Sequence, residues 1–157
     1  MLNQETEFHK IVVPIDGSEN SFHASSLAIG MAAKYGSQLL IIHILHMNLN
    51  LQALGYYGLS DTNEATEKYV QASRKEAAPW FDRIKKEAEN IGVTQVKSEA
   101  IAGSLSIVGE IVNYAEENNA DLIVIGSRGR TGFKKMLLGS VASGVITYAP
   151  CPVLVVK

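Results

Sequence analysis

Short apolar runs alternate with stretches of helical periodicity along this chain. Ile11-Val12-Val13-Pro14-Ile15 is continuous and apolar, and Asp16-Gly17-Ser18 closes it, which predicts a buried strand. Ala24, Leu27, Ala28, Met31 and Ala32 then recur three and four apart and predict a helix with one apolar face. Ser18 stands where an N-cap belongs, because its hydroxyl can accept an orphan N–H of the first turn. Gly36 stands at the other end, where a residue tolerating positive φ lets the chain leave the helix. Leu39 to Ile44 is a second apolar run. The segment from His46 to Asp61 has no clean period, and its apolar residues could cover a pocket, serve an interface or pack on the core.

From about Asn63 to Asn90 the pattern is helical and charged, and Gly92 closes it. Val93 to Ala102 alternates imperfectly, as an edge strand does. Ile107, Val108, Ile111, Val112 and Ala115 mark a further helix, and Leu122 to Ile125 a third fully apolar strand. A short helix over Ser140 to Tyr148 and a strand over Pro152 to Val156 complete the order β-α-β-α-β-α-β-α-β. Continuous apolar strands joined by helical crossovers imply a parallel sheet covered on both faces. No internal repeat or linker divides residues 1–157, so one domain with a polar tail at residues 1–9 is expected.

Charge and cysteine usage narrow the function classes. With 14 Lys and Arg against 16 Asp and Glu, the net charge is -2, and no basic field is available to hold nucleic acid. Cys151 is the only cysteine, which rules out an internal disulfide and fits a reducing compartment. Met1 to Lys10 lacks the basic start and apolar run of a signal peptide, and no apolar stretch approaches the roughly 18 residues of a membrane span. A cytoplasmic protein without membrane contact is expected.

Ligands of open parallel sheets bind at the carboxyl ends of the strands. Of the segments leaving strands there, the one after Ile125 is the most informative. Its glycines permit close approach of an anion and positive φ, and it carries Arg128, Arg130, Lys134 and Lys135 without an acid. Gly139-Ser140 then opens a helix, whose first N–H groups and partial positive charge suit a phosphate. A solvated surface loop would account for the cations alone. Glycines, cations and a helix start together point to a phosphate site.

Gly126, Gly129, Gly139 and Ser140 form the pattern G-x2-G-x9-G-[S/T], which resembles the ATP-binding motif of the universal stress protein family. The opening Ile11 to Ser18 and the closing Ala149-Pro150-Cys151-Pro152-Val153-Leu154-Val155-Val156 resemble that family too, so the likeness runs from about Lys10 to Lys157. The resemblance implies a three-layer α-β-α fold around an open five-stranded parallel sheet, strand order 3-2-1-4-5. This is the adenine-nucleotide α-hydrolase-like, Rossmann- or flavodoxin-like arrangement. It implies an adenine nucleotide, ATP with Mg²⁺, as the ligand. On this likeness Pro14 and the backbone at Ile44 would line the adenine pocket. Asp16 would accept from ribose hydroxyls or sit near a metal on the phosphates, although Asp before Gly-Ser is also an ordinary turn former. Gly126, Arg128, Gly129 and Arg130 would border ribose and phosphates. Gly139, Ser140 and Val141 would offer backbone N–H groups, with the Ser140 hydroxyl adding one more.

The sequence disfavours other chemistry. There is no Walker motif and no G-x-G-x-x-G after the first strand. His9, His23, His43 and His46 show no i, i+4 metal pair; His43 reads as a satisfied core residue and His23 as a surface one. Cys151, between two prolines, reads as buried rather than nucleophilic. Trp80 and Tyr114 read as packing. No catalytic residue stands out, so a nucleotide-binding stress-response module is expected, with a slow ATPase or nucleotidyl-transfer enzyme as the alternative. A scaffold retaining only the fold fits the intact motif less well. The apolar run Pro152 to Val156, at the sheet edge in the implied strand order, predicts a homodimer paired along it, and members of the family are similar in this.

Overall fold

The computed structural model describes residues 8–46, 62–103, 106–130 and 138–157. Residues 47–61, and Lys134 and Lys135 of the cationic loop, lie outside the described residues. The elements are β1 (Lys10–Pro14), α1 (Glu19–Tyr35), β2 (Gln38–His46), α2 (Thr62–Asn90), β3 (Val96–Gly103), α3 (Ile107–Glu117), β4 (Leu122–Gly126), α4 (Ser140–Tyr148) and β5 (Val153–Val156). All strand pairs are parallel, in the order β3-β2-β1-β4-β5. The expected strand order is therefore the observed one, and β3 and β5 are the edges.

Alternation within each strand divides the core. Ile11, Val13, Leu39, Ile41, Leu122 and Val124 point to one face, where α1 and α2 pack with Ala24, Ala28, Ile29, Ile84 and Ala88. Val12, Leu40, Ile42, Ile123 and Ile125 point to the other, against Ile111, Ala115, Ala142 and Val145 of α3 and α4. Each buried valine, leucine or isoleucine among them contributes about 1.5–3 kcal/mol, which is what holds helices to both faces. Every residue of β4 is buried, whereas β3 alternates with exposed positions, as central and edge strands should. Among the described residues no helix is long and apolar enough to cross a membrane.

The caps bracket α1 as its sequence foretells. Ser18 accepts a hydrogen bond from the Ser21 N–H, and Gly36 ends the helix at φ 69°. Two expectations need correcting. Leu27 does not join the apolar stripe of α1 and is 45% exposed, because the face against the sheet is built from Ala24, Ser25, Ala28 and Ala32, whose small size allows close approach. The third strand begins at Val96 rather than Val93, because Gly92 turns the chain at φ 81° and Val93 closes that turn through its N–H to the Ala88 carbonyl at 2.9 Å.

Candidate functional site

The carboxyl ends of β1, β2 and β4 open into a cavity of about 610 Å³. Pro14 and Asp16 reach it from the end of β1 and Ile44 from β2. Gly126, Arg128, Gly129 and Arg130 come from the end of β4, and Gly139, Ser140 and Val141 from the start of α4. The four chain segments singled out by sequence thus line one space. Its composition is divided: Ile44, Leu45, Ile107, Ile111 and Ile125 supply an apolar section, and Asp16, the glycine loop and the α4 start supply a polar one. Apolar walls with a few convergent polar groups are the usual make-up of a small-molecule site.

Asp16 organises the polar section. Its Oδ1 accepts from the Ser18 N–H at 3.0 Å and the Ser18 hydroxyl at 2.6 Å, an Asx turn that passes directly into the N-cap of α1. Its Oδ2 accepts from the Arg130 N–H at 3.0 Å. One carboxylate therefore joins the tip of β1, the start of α1 and the loop after β4.

The motif glycines serve by close approach and not by positive φ. Among the described residues only Gly17, Gly36, Gly92 and Asn119 have positive φ, so the expected left-handed conformation is not used at Gly126, Gly129 or Gly139. A Cβ on Gly129 would lie 2.6 Å from Asp16 Oδ2, and one on Gly126 would lie 2.8 Å from the Asn20 backbone carbon. Gly139 departs from expectation in a second way. Its N–H donates to the Ser127 carbonyl at 2.7 Å, which folds the start of α4 back on the β4 loop and engages that donor. With Gly139 as N-cap and no side-chain cap present, the next three N–H groups, of Ser140, Val141 and Ala142, are the ones without an intrahelical partner. The Ser140 side chain is exposed.

A third wall was not read from the sequence. Tyr69, Ser73 and Glu76 of α2 line the cavity, and Trp80, next on the same helical stripe, packs against His43 and Arg130 of its lining. The Trp80 ring lies edge-on to His43 at 5.2 Å, under the Arg130 guanidinium at 5.3 Å, and where a Cβ on Gly17 would come within 2.4 Å. Glu76 Oε1 accepts from Arg130 Nη2 at 2.5 Å. His43 is satisfied, as expected, but it also lines the cavity. Its Nδ1 is 2.8 Å from the Ile15 carbonyl, an acceptor only, so Nδ1 carries the proton. The signal that could have exposed this wall is the spacing of Tyr69, Ser73, Glu76 and Trp80 by four, three and four residues.

Among the described residues no group of three or more His, Cys, Asp or Glu is placed to hold a metal ion. Among the described residues, Asp16 and Glu76 are the carboxylates that line the cavity, and both already accept hydrogen bonds. Cys151 is half-buried, and burial, reinforced by the charge of Asp121, pushes its thiol pKa up, away from the thiolate a nucleophile needs. Tyr114 is buried in the α3 face, where it packs as expected.

Comparison with known proteins adds the family. Residues 7–157 match the universal stress protein family. Universal stress protein MJ0531 of Methanocaldococcus jannaschii is 37% identical over 157 residues, covering 99% of this chain and 85% of the relative. The solved structure of MJ0577 from the same organism superposes with a TM-score of 0.77 at 31% identity, covering 96% of each chain. A universal stress protein from Archaeoglobus fulgidus, solved in complex with dAMP, superposes with a TM-score of 0.63 at 25% identity, covering 96% of this chain and 98% of that one. The chain belongs to the universal stress protein family.

Proposed function

We propose that the chain binds an adenine nucleotide, ATP in the fullest form of the reading, in the cavity at the ends of β1 and β4. In this reading it acts in the cytoplasm as a nucleotide-dependent stress-response module that binds ATP and turns it over slowly at most. The observation that carries it is the division of one cavity of about 610 Å³ into an isoleucine-rich section, suited to a base, and a glycine loop beside an uncapped helix start, suited to phosphate. The dAMP complex of the Archaeoglobus relative supports the choice of nucleotide. Among the described residues no donor set forms a cation cage, so Mg²⁺ enters this reading with the phosphates, near Asp16. Isothermal titration calorimetry tests the site. ATP is expected to bind the native protein and raise its melting temperature. Gly129→Asp and Gly139→Asp put a carboxylate where phosphate should lie, and unchanged ATP affinity in both would overturn the reading. Sustained turnover near 1 s⁻¹ or faster, abolished in Asp16→Asn, would favour the enzymatic alternative.

A homodimer joined along β5 belongs to the same proposal. Leu154 and Val156 pack partly on the α1 face and Val153 and Val155 partly on the α4 face. The Pro152 and Val156 carbonyls accept from the N–H groups of Ile123 in β4 and of Ser127 just past its end. Backbone groups alternate along a strand, so those of Val153 and Val155 point to the open edge. Val155→Pro removes one outward N–H without removing a ladder bond. A native dimer in light scattering that becomes monomeric in Val155→Pro supports the pairing; a native monomer at micromolar concentration rejects it.

A further inference from the structure

We propose that Glu76 sets the phosphate-number selectivity of the cavity, holding Arg130 in competition with the outer phosphates of a nucleoside polyphosphate. This rests on the nucleotide reading of the cavity and adds to it a residue outside the glycine motif.

Arg130, in the loop that leaves β4, is held at three points. Its backbone is fixed by Asp16 Oδ2, its guanidinium lies over Trp80, and Nη2 donates to Glu76 Oε1 at 2.5 Å. Two of its three anchors, Glu76 and Trp80, come from α2. The guanidinium is about half exposed, at the rim of the cavity, whereas the apolar section is formed by buried ends of β2 and β4 and by α3. A nucleotide with its base on the isoleucines extends its phosphates toward that rim. A planar guanidinium with five donors suits an outer phosphate, but here it is already engaged by a carboxylate. Glu76 itself lines the cavity and repels the same phosphates. Binding a triphosphate therefore requires Arg130 to be drawn from Glu76, or Glu76 to turn out to solvent. A monophosphate held at the start of α4 requires neither. The carboxylate thus weakens the binding of longer phosphate chains selectively, and a long-chain nucleotide that does bind releases the tie between α2 and the β4 loop.

The test measures affinities of adenosine, AMP, ADP and ATP for the native protein and for Glu76→Gln, at one salt concentration. Glu76 sits on the exposed side of α2, so the substitution leaves the fold intact, which an unchanged melting temperature checks. Removing the competitor should raise ATP affinity about fivefold, the scale of an exposed ion pair, and ADP affinity by less, while AMP and adenosine stay within about 1.5-fold. Arg130→Gln should lower ATP affinity and leave adenosine unchanged, and it should shrink the gain from Glu76→Gln. An unaltered ATP-to-AMP ratio in Glu76→Gln, or a loss of ATP affinity, overturns the proposal. Absence of any nucleotide binding to the native protein instead overturns the reading of the cavity on which it rests.

Discussion

The carboxylate of Asp16 and the backbone N–H of Arg130 meet at 3.0 Å although 114 residues separate them in sequence. The contact closes the candidate site, because it fastens the loop that leaves β4 to the tip of β1. The other oxygen of the same carboxylate orders Ser18, which caps α1. The loop, the strand tip and the helix start therefore respond together to any change at Asp16.

Asp16→Asn is expected to loosen that joint. An amide keeps one acceptor but presents an N–H where the second oxygen was, so either Ser18 or Arg130 loses its partner. A hydrogen bond to a charged group contributes about 1.5–3 kcal/mol; the site is half-exposed, so the lower end applies. Amide hydrogen exchange at whichever of Ser18 and Arg130 faces the new N–H should accelerate about tenfold, the factor equal to 1.4 kcal/mol, while the core amide of Ile41 is unaffected. Equal exchange at both Ser18 and Arg130 in the two proteins would contradict the role assigned to the carboxylate.

Alanine at Gly129 and at Gly139 should differ in effect. At Gly129 the new Cβ meets Asp16 Oδ2 at 2.6 Å, so the loop or the carboxylate must move. At Gly139 the closest atom is the Ser127 carbonyl oxygen at 3.3 Å, and a shift of a few tenths of an ångström relieves it. Gly129→Ala should weaken nucleotide binding about tenfold and Gly139→Ala by about threefold or less, given that displaced positioning elements commonly cost one to two orders of magnitude. Calorimetry on the two variants gives the order directly, and the reverse order would show that the Asp16 contact is not what demands glycine at 129.

The strands, the caps of α1 and the residues of the glycine motif were legible because each follows from local chemistry. Ile11 to Ile15 can only be a buried run, Ser18 accepts from its own helix, and Gly129 belongs to a spaced pattern. What escaped depends on contacts between distant segments. Glu76 and Trp80 sit in a charged helix whose face toward the cavity is fixed only when α2 packs over Gly17 and His43. The engagement of the Gly139 N–H by Ser127 is a loop closure with no signature in residue type. The Val93 misplacement arose because a β-branched residue after glycine reads equally well as a strand start or as a turn anchor.

Gly17 and Trp80 should be strongly coupled. Gly17→Ala meets two obstacles: φ is 81°, and the added Cβ lies 2.4 Å from Trp80 Cζ2. Left-handed backbone costs an alanine about 1–2 kcal/mol, and displacement of the ring adds about 1–3 kcal/mol of overpacking. In a Trp80→Leu background the second cost should vanish and the first remain. Urea unfolding of the four proteins measures the coupling, expected at about 1 kcal/mol or more for residues in contact. Strict additivity would mean that the indole has room to move away.

Stability at alkaline pH should be limited in part by Tyr114. Burial in the α3 face, then the negative charge of Glu99 and the hydroxyl's hydrogen bond to Glu99 Oε2 at 3.5 Å, push the Tyr114 pKa up to about 12. An unfolded tyrosine titrates near 10. Below about pH 10 both states keep the phenolic proton and the contribution of this group is fully present. Between about pH 10 and 12 the unfolded chain ionises while the folded one still holds its proton, so the folded state is favoured less with each step upward. Above about 12 both are ionised and no further loss arises. Tyr114→Phe cannot ionise, so its stability should fall less steeply across that window than that of the native protein. Glu99→Gln should shift the onset of Tyr114 ionisation downward only in part, because burial is the larger cause and remains. Ultraviolet titration of the phenolate, with parallel melting curves from pH 9 to 12, separates the two. A native protein and a Tyr114→Phe variant that lose stability in parallel would remove Tyr114 from the account.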